Sequence, residues 1–506
     1  MDVTIAKEPA LRSASQALLL PVLTNESDEK GFPYPEITER YGPSLFERME
    51  ACSFKAKIGQ TFLLTPLNPD IPPLALVGLG GADTLDPQVV SEAHAQGAQK
   101  LLGSGARHIL SICRSECDIT PEFWVRHVVQ GVALSQYRFD TCKSKPSESP
   151  SIESLTLVSS EGENLEHLSE SARIAQVLSR WIGFARDLGN LPANRATPSE
   201  CARRIREATE NLDLDIRIHQ GLEAIDALSL PALHAVSQGS AEPPTFVEME
   251  LNPSLRGKRP TIALVGKGVT FDAGGISIKR SNNMEWMKCD MCGAANVAAA
   301  VAALAELRPD IHVLGFLPFC ENLPSGTAYK PSDVVDTHAG LTVEIINTDG
   351  EGRMILADAI SYARTFDPDV ILDVATLTGA SMVAVGKHYI AIIGNDSDAM
   401  AEIDQAAHVT GERVWPLPLD RHFVKAMKSD TADLKNAGGR FGGSSLAAAF
   451  LSQFAGDQAW VHLDIAPTGW TEKAQPCCPK GATGTSICLL TEFVMQRARS
   501  QTGDIG

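Results

Sequence analysis

Apolar residues fall along this chain in two rhythms. Short unbroken apolar runs end at glycine or at polar turns, and longer stretches place an apolar residue every third or fourth position. The first rhythm reads as buried strands and the second as helices. Residues 18–23, 74–78, 109–113 and 155–159 are runs of the first kind. Pro21 cannot donate to a ladder, so it assigns the first run to a sheet edge. Helical spacing covers 87–102 and 123–135 between them, and 142–154, rich in Ser, Pro and Lys, reads as an exposed loop. Strands alternating with helices predict a small α/β domain over residues 1–165. Leu168, Ala172, Ala175, Leu178, Trp181, Ile182 and Ala185 then keep one face of a helix up to Asn190-Leu191-Pro192. That helix, 166–190, is expected to join the small domain to a larger one, 191–506.

The larger part repeats the alternation. Thr197-Pro198-Ser199-Glu200 opens a helix with a capping hydroxyl and a proline in the first turn. Strand runs follow at 262–265, 312–317, 343–346, 370–376 and 460–465, with helical stretches at 294–307 and 354–365. The expectation is a second, larger α/β domain with a central mixed sheet flanked by helices. Its polar motifs follow the strand runs directly, at the carboxyl ends where open α/β sheets carry their sites.

Composition narrows the class. A chain of 506 residues exceeds one ordinary core. With 44% hydrophobic and 21% charged residues it is globular in type, and no apolar run reaches membrane-spanning length. Met1-Asp2-Val3-Thr4 lacks the basic and apolar start of a secretory signal. Eleven scattered cysteines suit reduced thiols in a cytoplasmic setting. The net charge of −18, without a basic stripe, argues against nucleic-acid binding and suits a cationic group such as a peptide amine. Gly78-Leu79-Gly80-Gly81 would need its next glycine at Asp83, so it reads as a turn rather than a phosphate loop.

Three stretches carry the chemistry. Asn347-Thr348-Asp349-Gly350-Glu351-Gly352-Arg353 sets carboxylates at i and i+2. In an extended segment Asp349, Glu351 and Arg353 would share a side. Converging carboxylates repel unless a cation sits between them. Upstream, the run at 262–265 leads into Gly266-Lys267-Gly268-Val269-Thr270-Phe271-Asp272-Ala273-Gly274-Gly275-Ile276-Ser277-Ile278-Lys279. Met287-Lys288-Cys289-Asp290-Met291-Cys292-Gly293 follows. Four carboxylates make a hard, oxygen-rich set able to hold divalent cations without fixing their identity. There is no H-E-x-x-H and no G-x-S-x-G. Cys289-x-x-Cys292 with Cys477-Cys478 has the thiols for a structural zinc, but the adjacent downstream pair has poor geometry, and packing is the expected role.

Together the three stretches resemble the leucyl (cytosol) aminopeptidase family, bacterial aminopeptidase A type, whose signature reads N-T-D-A-E-G-R. The resemblance covers roughly residues 180 to 495 and, more loosely, what precedes. It implies a metal-dependent aminopeptidase, a hydrolase removing Leu and other apolar N-terminal residues from peptides. It implies two divalent metal ions per subunit, manganese or zinc, with cobalt or magnesium accommodated. Carried over residue by residue, Lys267, Asp272, Asp290 and Glu351 would hold one ion and Asp272, Asp349 and Glu351 the other. Paired ions of this kind activate a water and polarise a carbonyl, and aminopeptidases are a known instance of that chemistry. Lys279 matches the lysine that stabilises the oxyanion, and Arg353 the arginine that holds a bicarbonate ion as general base. The motif Val374-Ala375-Thr376-Leu377-Thr378-Gly379-Ala380 also matches. By resemblance Leu377 would bind substrate through its main chain, and Met287, Asn347, Thr376, Gly379 and Ala466 would shape the first pocket. The family forms homohexamers. Gly350 departs from the usual alanine, Ala273 stands where Ser or Thr is common, and Pro467 where glycine is frequent. The competing expectation is a catalytically silent scaffold or DNA-binding regulator, since some bacterial relatives bind DNA. Loss of a ligand or of Lys279 would mark it, and none is lost.

Overall fold

The strand runs and helical stretches segregate into two units. The computed structural model describes residues 1–7, 16–42, 44–114, 119–146, 150–160 and 162–502. Met1–Arg180 and Lys473–Lys480 form one unit; the other runs from Trp181 to Glu472 and resumes at Gly481. The division falls inside the helix Leu165–Asn190.

The smaller unit is built on a six-stranded sheet. Its order is Asp2–Lys7, Ser154–Ser159, His108–Ile112, Ala17–Val22, Leu74–Gly78, Thr61–Leu64. All pairings are parallel except the last. Leu19, Ala75, Val77, Ile109 and Leu155 face one core and Leu18, Leu20, Val22, Leu74 and Leu76 the other, so the central strands are apolar on both sides. The helices Pro87–Gly103 and Pro121–Leu134 each open on a proline behind a cap, Asp86 accepting from Val89 N and Thr120 from Phe123 N.

One sequence expectation is overturned here. Ala17–Val22 is a central strand, not an edge, and all six of its residues are buried. Pro21 is accommodated because pairing with His108–Ile112 involves only Ala17 and Leu18, whereas pairing with Leu74–Gly78 continues to Val22. The Pro21 carbonyl accepts instead from the Tyr34 hydroxyl at 2.6 Å and from Arg114 Nη1 at 3.2 Å. A proline is tolerated where the ladder has already lapsed on one side.

The larger unit holds a nine-stranded mixed sheet. Along its path lie Val414–Pro416, Ile390–Gly394, Trp460–Asp464, Val370–Ala375, Thr261–Gly266, His312–Asn322, Thr245–Leu251 and Asp215–Gln220. Gly268–Asp272 pairs off this path with His312–Asn322. The four strands from Trp460–Asp464 to His312–Asn322 are mutually parallel. The helices Cys292–Leu307 and Glu351–Arg364 both contact these central strands. By length and apolar composition Met284–Leu307 passes for a membrane span, contrary to the sequence reading, yet 94% of its apolar window is buried inside the protein. Its alanines are core contacts.

The run at 343–346 also differs. The strand is Thr342–Glu344, in a separate three-stranded sheet with Val334–Asp336 and Leu434–Lys435. Ile345 N still donates in register to Asp333 O at 2.9 Å, and the run leaves the ladder at Ile346, whose N donates to the Asn436 side chain at 2.8 Å.

Candidate functional site

Lys267 begins the site because Thr261–Gly266 ends one residue before it. Its main chain stays in the fabric of the sheet, with Lys267 N donating to Val374 O at 3.0 Å and Lys267 O accepting from Ala294 N at 2.8 Å. The helix Cys292–Leu307 starts hard against this point. A Cβ on Gly293 would fall 2.2 Å from Val374 O, so only glycine admits that approach. Asp290, two residues before the helix, is thereby brought to Lys267.

The Lys267 Nζ lies 2.7 Å from Asp290 Oδ2 and 3.0 Å from Glu351 Oε1, and donates to Thr376 O at 3.1 Å. Gly268–Asp272 delivers Asp272, whose Oδ1 accepts from Gly274 N at 2.9 Å and Asn322 Nδ2 at 2.8 Å. Its Oδ2 lies 2.6 Å from Lys279 Nζ, which also lies 2.6 Å from Asp349 Oδ1. Asp272, Asp290 and Glu351 are buried, and each offers an oxygen within 4.8 Å of the others. Asp349 joins them through Lys279.

The carboxylates converge by a route other than the extended one read from the sequence. Thr348–Gly350 is a single 3-10 turn, and Glu351 and Arg353 belong to the helix Glu351–Arg364. The turn, not strand alternation, brings Asp349 and Glu351 together. The helix N-terminus favours the negative charge of Glu351. Arg353 turns aside, its Nη1 donating to Asn436 O at 2.7 Å and its Nε without a hydrogen-bond partner among the described residues.

Burial, then repulsion from Glu351 and Asp290, pushes the Asp272 carboxyl up to about 8. Burial likewise raises Asp290 to about 6 against the pull of Lys267. Asp349 is also raised, chiefly by burial. In Glu351 burial is overcome by Lys267 and Lys279, and its carboxyl sits below the ordinary value. Both lysines resist the same burial and are driven upward, Lys267 by Asp290 and Glu351, Lys279 by Asp272 and Glu351. Burial lowers Arg353. Paired carboxylates crowded to this degree, with oxygens rather than thiols as donors, fit a divalent cation. Cys289 and Cys292 beside Asp290 are buried free thiols.

Three of the predicted pocket residues, Thr376, Leu377 and Ala466, are held at the strand ends by two carboxylates. Asp290 Oδ1 accepts from Thr376 Oγ1 at 2.7 Å. Asp464 Oδ1 accepts from Leu377 N at 3.2 Å and Ala466 N at 3.1 Å. Asn347 caps the 3-10 turn, accepting from Asp349 N at 2.9 Å. Gly379 opens the helix Gly379–Val385. Met287 lies partly buried in the turn Met284–Cys289, its carbonyl accepting from Asp290 N at 3.4 Å. Three residues that hold the site escaped the sequence reading as holders: Asn322, Asn436 and Asp464. Only Asp464, inside the strand run 460–465 and two residues before Ala466, carried a signal there.

The family model for the cytosol aminopeptidase catalytic domain matches residues 183–491, and the model for that family's N-terminal domain matches residues 22–146. A probable cytosol aminopeptidase of Geobacter sulfurreducens is 41% identical over 433 residues, covering 84% of this chain and 85% of that protein. One from Geobacter sp. is 39% identical over 500 residues, covering 98% of this chain and 100% of its own. Among solved structures, a mutant of tomato leucine aminopeptidase superposes with a TM-score of 0.87 at 29% identity, over 98% of this chain and 96% of that one. The bottromycin maturation enzyme BotP in complex with Mn superposes with a TM-score of 0.84 at 31% identity, over 96% and 100%. Buried carboxylates drawn together by two lysines at the strand ends, on a chain matched along nearly its whole length, lead to one conclusion: the chain belongs to the cytosol aminopeptidase family and is a metal-dependent hydrolase of the leucyl aminopeptidase type.

Proposed function

We propose that this chain removes N-terminal residues, Leu and other apolar ones with broad tolerance, from peptides by a water that two divalent cations activate. The observation carrying this reading is the meeting of Asp272, Asp290 and Glu351 within 4.8 Å. Lys267, Asp272, Asp290 and Glu351 would hold one cation, and Asp272, Asp349 and Glu351 the other. Bound there, the cations supply Lewis acidity toward water and the scissile carbonyl. Mn is favoured by its presence in the BotP complex, with Zn the alternative. Lys267 has to surrender a proton to ligate, since only the neutral amine donates an electron pair. Lys279, an ammonium beside Asp272 and Asp349, would stabilise charge developing on the carbonyl oxygen.

Arg353 would hold bicarbonate as the general base, because a guanidinium fork suits a planar oxyanion. Asn347, Thr376, Leu377, Gly379, Ala466 and Met287 would line the first side-chain pocket. An apolar pocket discriminates by only about 1–3 kcal/mol per methylene, hence the broad tolerance. Residues 1–165 and 191–506, joined by 166–190, are the domain limits, and homohexamer assembly in the cytoplasm completes the reading.

The test is hydrolysis of leucine p-nitroanilide before and after chelation, with Mn²⁺ or Zn²⁺ then restored. Activity lost on chelation, regained with metal and abolished in Asp349→Ala supports the reading. Activity indifferent to chelation overturns it.

A further inference from the structure

We infer that Asn322 is a positioning residue that presents Asp272 and Glu351 to the bound cations; this rests on the metal reading just given. Asn322 is the last residue of His312–Asn322, beside Gly268–Asp272, and its side chain is fully buried. Its Nδ2 donates to Asp272 Oδ1 at 2.8 Å and Thr348 O at 3.0 Å, with Glu351 Oε2 at 3.5 Å. One amide thus links the strand that carries Asp272 to the turn and helix that carry Asp349 and Glu351. Asn322 O also accepts from Ala273 N at 2.9 Å.

The consequence for Asp272 is directional. Its Oδ1 is held from two sides, by Gly274 N and by Asn322 Nδ2, and the other oxygen is left facing Lys279 Nζ. A carboxylate tied at one oxygen presents the other at a fixed place. Donors held against ligating carboxylates set their orientation and typically govern metal affinity by 10–100-fold.

The amide is kept for its donors. Asn322 Oδ1 is buried without a hydrogen-bond partner among the described residues, which costs stability. It lies 2.7 Å from where a Cβ on Gly275 would sit, so glycine at 275 is what admits it. Turning the amide over would set that oxygen against two acceptors, Asp272 Oδ1 and Thr348 O. An apolar side chain would serve packing better than this arrangement does.

Titration calorimetry with Mn²⁺ on the purified chain, freed of metal by chelation, tests this, alongside circular dichroism and melting of the metal-free protein. The variants are Asn322→Ala, and Asn322→Asp, which keeps the shape and removes the N–H donors. Expected are Mn²⁺ affinities at least tenfold weaker in both, in protein that stays folded without metal, and activity partly recovered at saturating Mn²⁺. Folded variants that bind Mn²⁺ like the wild type overturn the inference alone. Wild-type protein that binds no Mn²⁺ overturns the metal reading and this inference with it. If Asn322→Ala does not fold, Asn322→Asp decides; failure of both to fold without metal assigns Asn322 to the fold and overturns its role at the site.

Discussion

Gly352 and Lys267 share a space that admits only one side chain. A Cβ on Gly352 would lie 2.5 Å from Lys267 Cε and 2.6 Å from its Nζ. Those atoms belong to the flexible end of a side chain, so the fold can yield at little cost. The site cannot, because the same Nζ meets Asp290, Glu351 and Thr376 O. Gly352→Ala is therefore expected to fold with a near-unchanged melting temperature while losing at least tenfold in Mn²⁺ affinity and in kcat/KM. Calorimetry and leucine p-nitroanilide kinetics on one preparation read both quantities; wild-type values in both would refute the coupling.

Arg353 separates base chemistry from metal holding. Its Nη1 is spent on Asn436 O and its Nε has no hydrogen-bond partner among the described residues, so part of the fork remains for an anion. Arg353→Ala should lower kcat by roughly 10²-fold or more, the scale of a lost general base, with metal content unchanged. Arg353→Lys keeps the charge without the planar fork and should not restore the rate. Wild-type activity should rise when bicarbonate is returned to a degassed buffer, and Arg353→Ala should not respond. A drop in bound metal equal to the drop in rate would contradict this assignment.

Much of the architecture was legible because spacing carried it. The strand runs at 74–78 and 262–265 lie within the strands Leu74–Gly78 and Thr261–Gly266, and Thr197 does cap the helix Pro198–Ala208, as its hydroxyl and the following proline suggest. Metal-type residues were legible for a different reason. The likeness of their motifs to a known family, not their spacing, singled out Lys267, Asp272, Asp290 and Glu351, and the structure brings these side chains together. Pro21 misled because a local rule about missing donors says nothing of where a neighbouring strand stops pairing. The motif 347–353 misled in geometry, since alternation and a tight turn both bring i and i+2 close. Asn322 and Asn436 were invisible as holders of the site. Their partners are 26 or more residues away, and an asparagine next to Leu323, or between Lys435 and Ala437, has no local mark.

Gly350 stands where the resembling family has alanine, and the structure gives that difference a consequence. Its backbone, φ −109° and ψ 31°, suits any residue, so strain does not demand glycine. A Cβ would meet Asn436 Nδ2 at 3.1 Å. That amide cannot move freely: Nδ2 donates to Asn347 O at 2.7 Å, and Oδ1 accepts from Ile346 N at 2.8 Å and Asn347 N at 3.2 Å. Asn436 O in turn accepts from Arg353. Gly350→Ala should thus forgo the gain of about 0.4–1 kcal/mol that such a change brings at an open site, and should lower kcat a few-fold through Arg353. Chemical denaturation and kinetics test the two halves; a stabilised variant with full activity would show that Asn436 yields.

The raised carboxyl of Asp272 gives metal-free protein a pH signature of definite sign. Burial first, then Glu351 and Asp290, lifts it from an ordinary 3.8 to about 8 in the folded chain. Between those values the folded state binds a proton that the unfolded chain has released. The stability this contributes is fully present below about 4 and is lost as pH rises through about 8. Other groups titrate too, so the informative quantity is the difference between wild type and Asp272→Asn, which cannot ionise. In chelated samples melted across pH 4 to 9, the wild type should lose ground to Asp272→Asn as pH climbs. Cations reverse the sense, because binding needs the deprotonated carboxylate and should tighten over the same range. Mn²⁺ should therefore raise the wild-type melting temperature most at high pH and least near pH 5, and leave Asp272→Asn little changed throughout. A wild-type curve parallel to that of Asp272→Asn in the chelated series would mean that Asp272 stays ionised in the folded, metal-free chain.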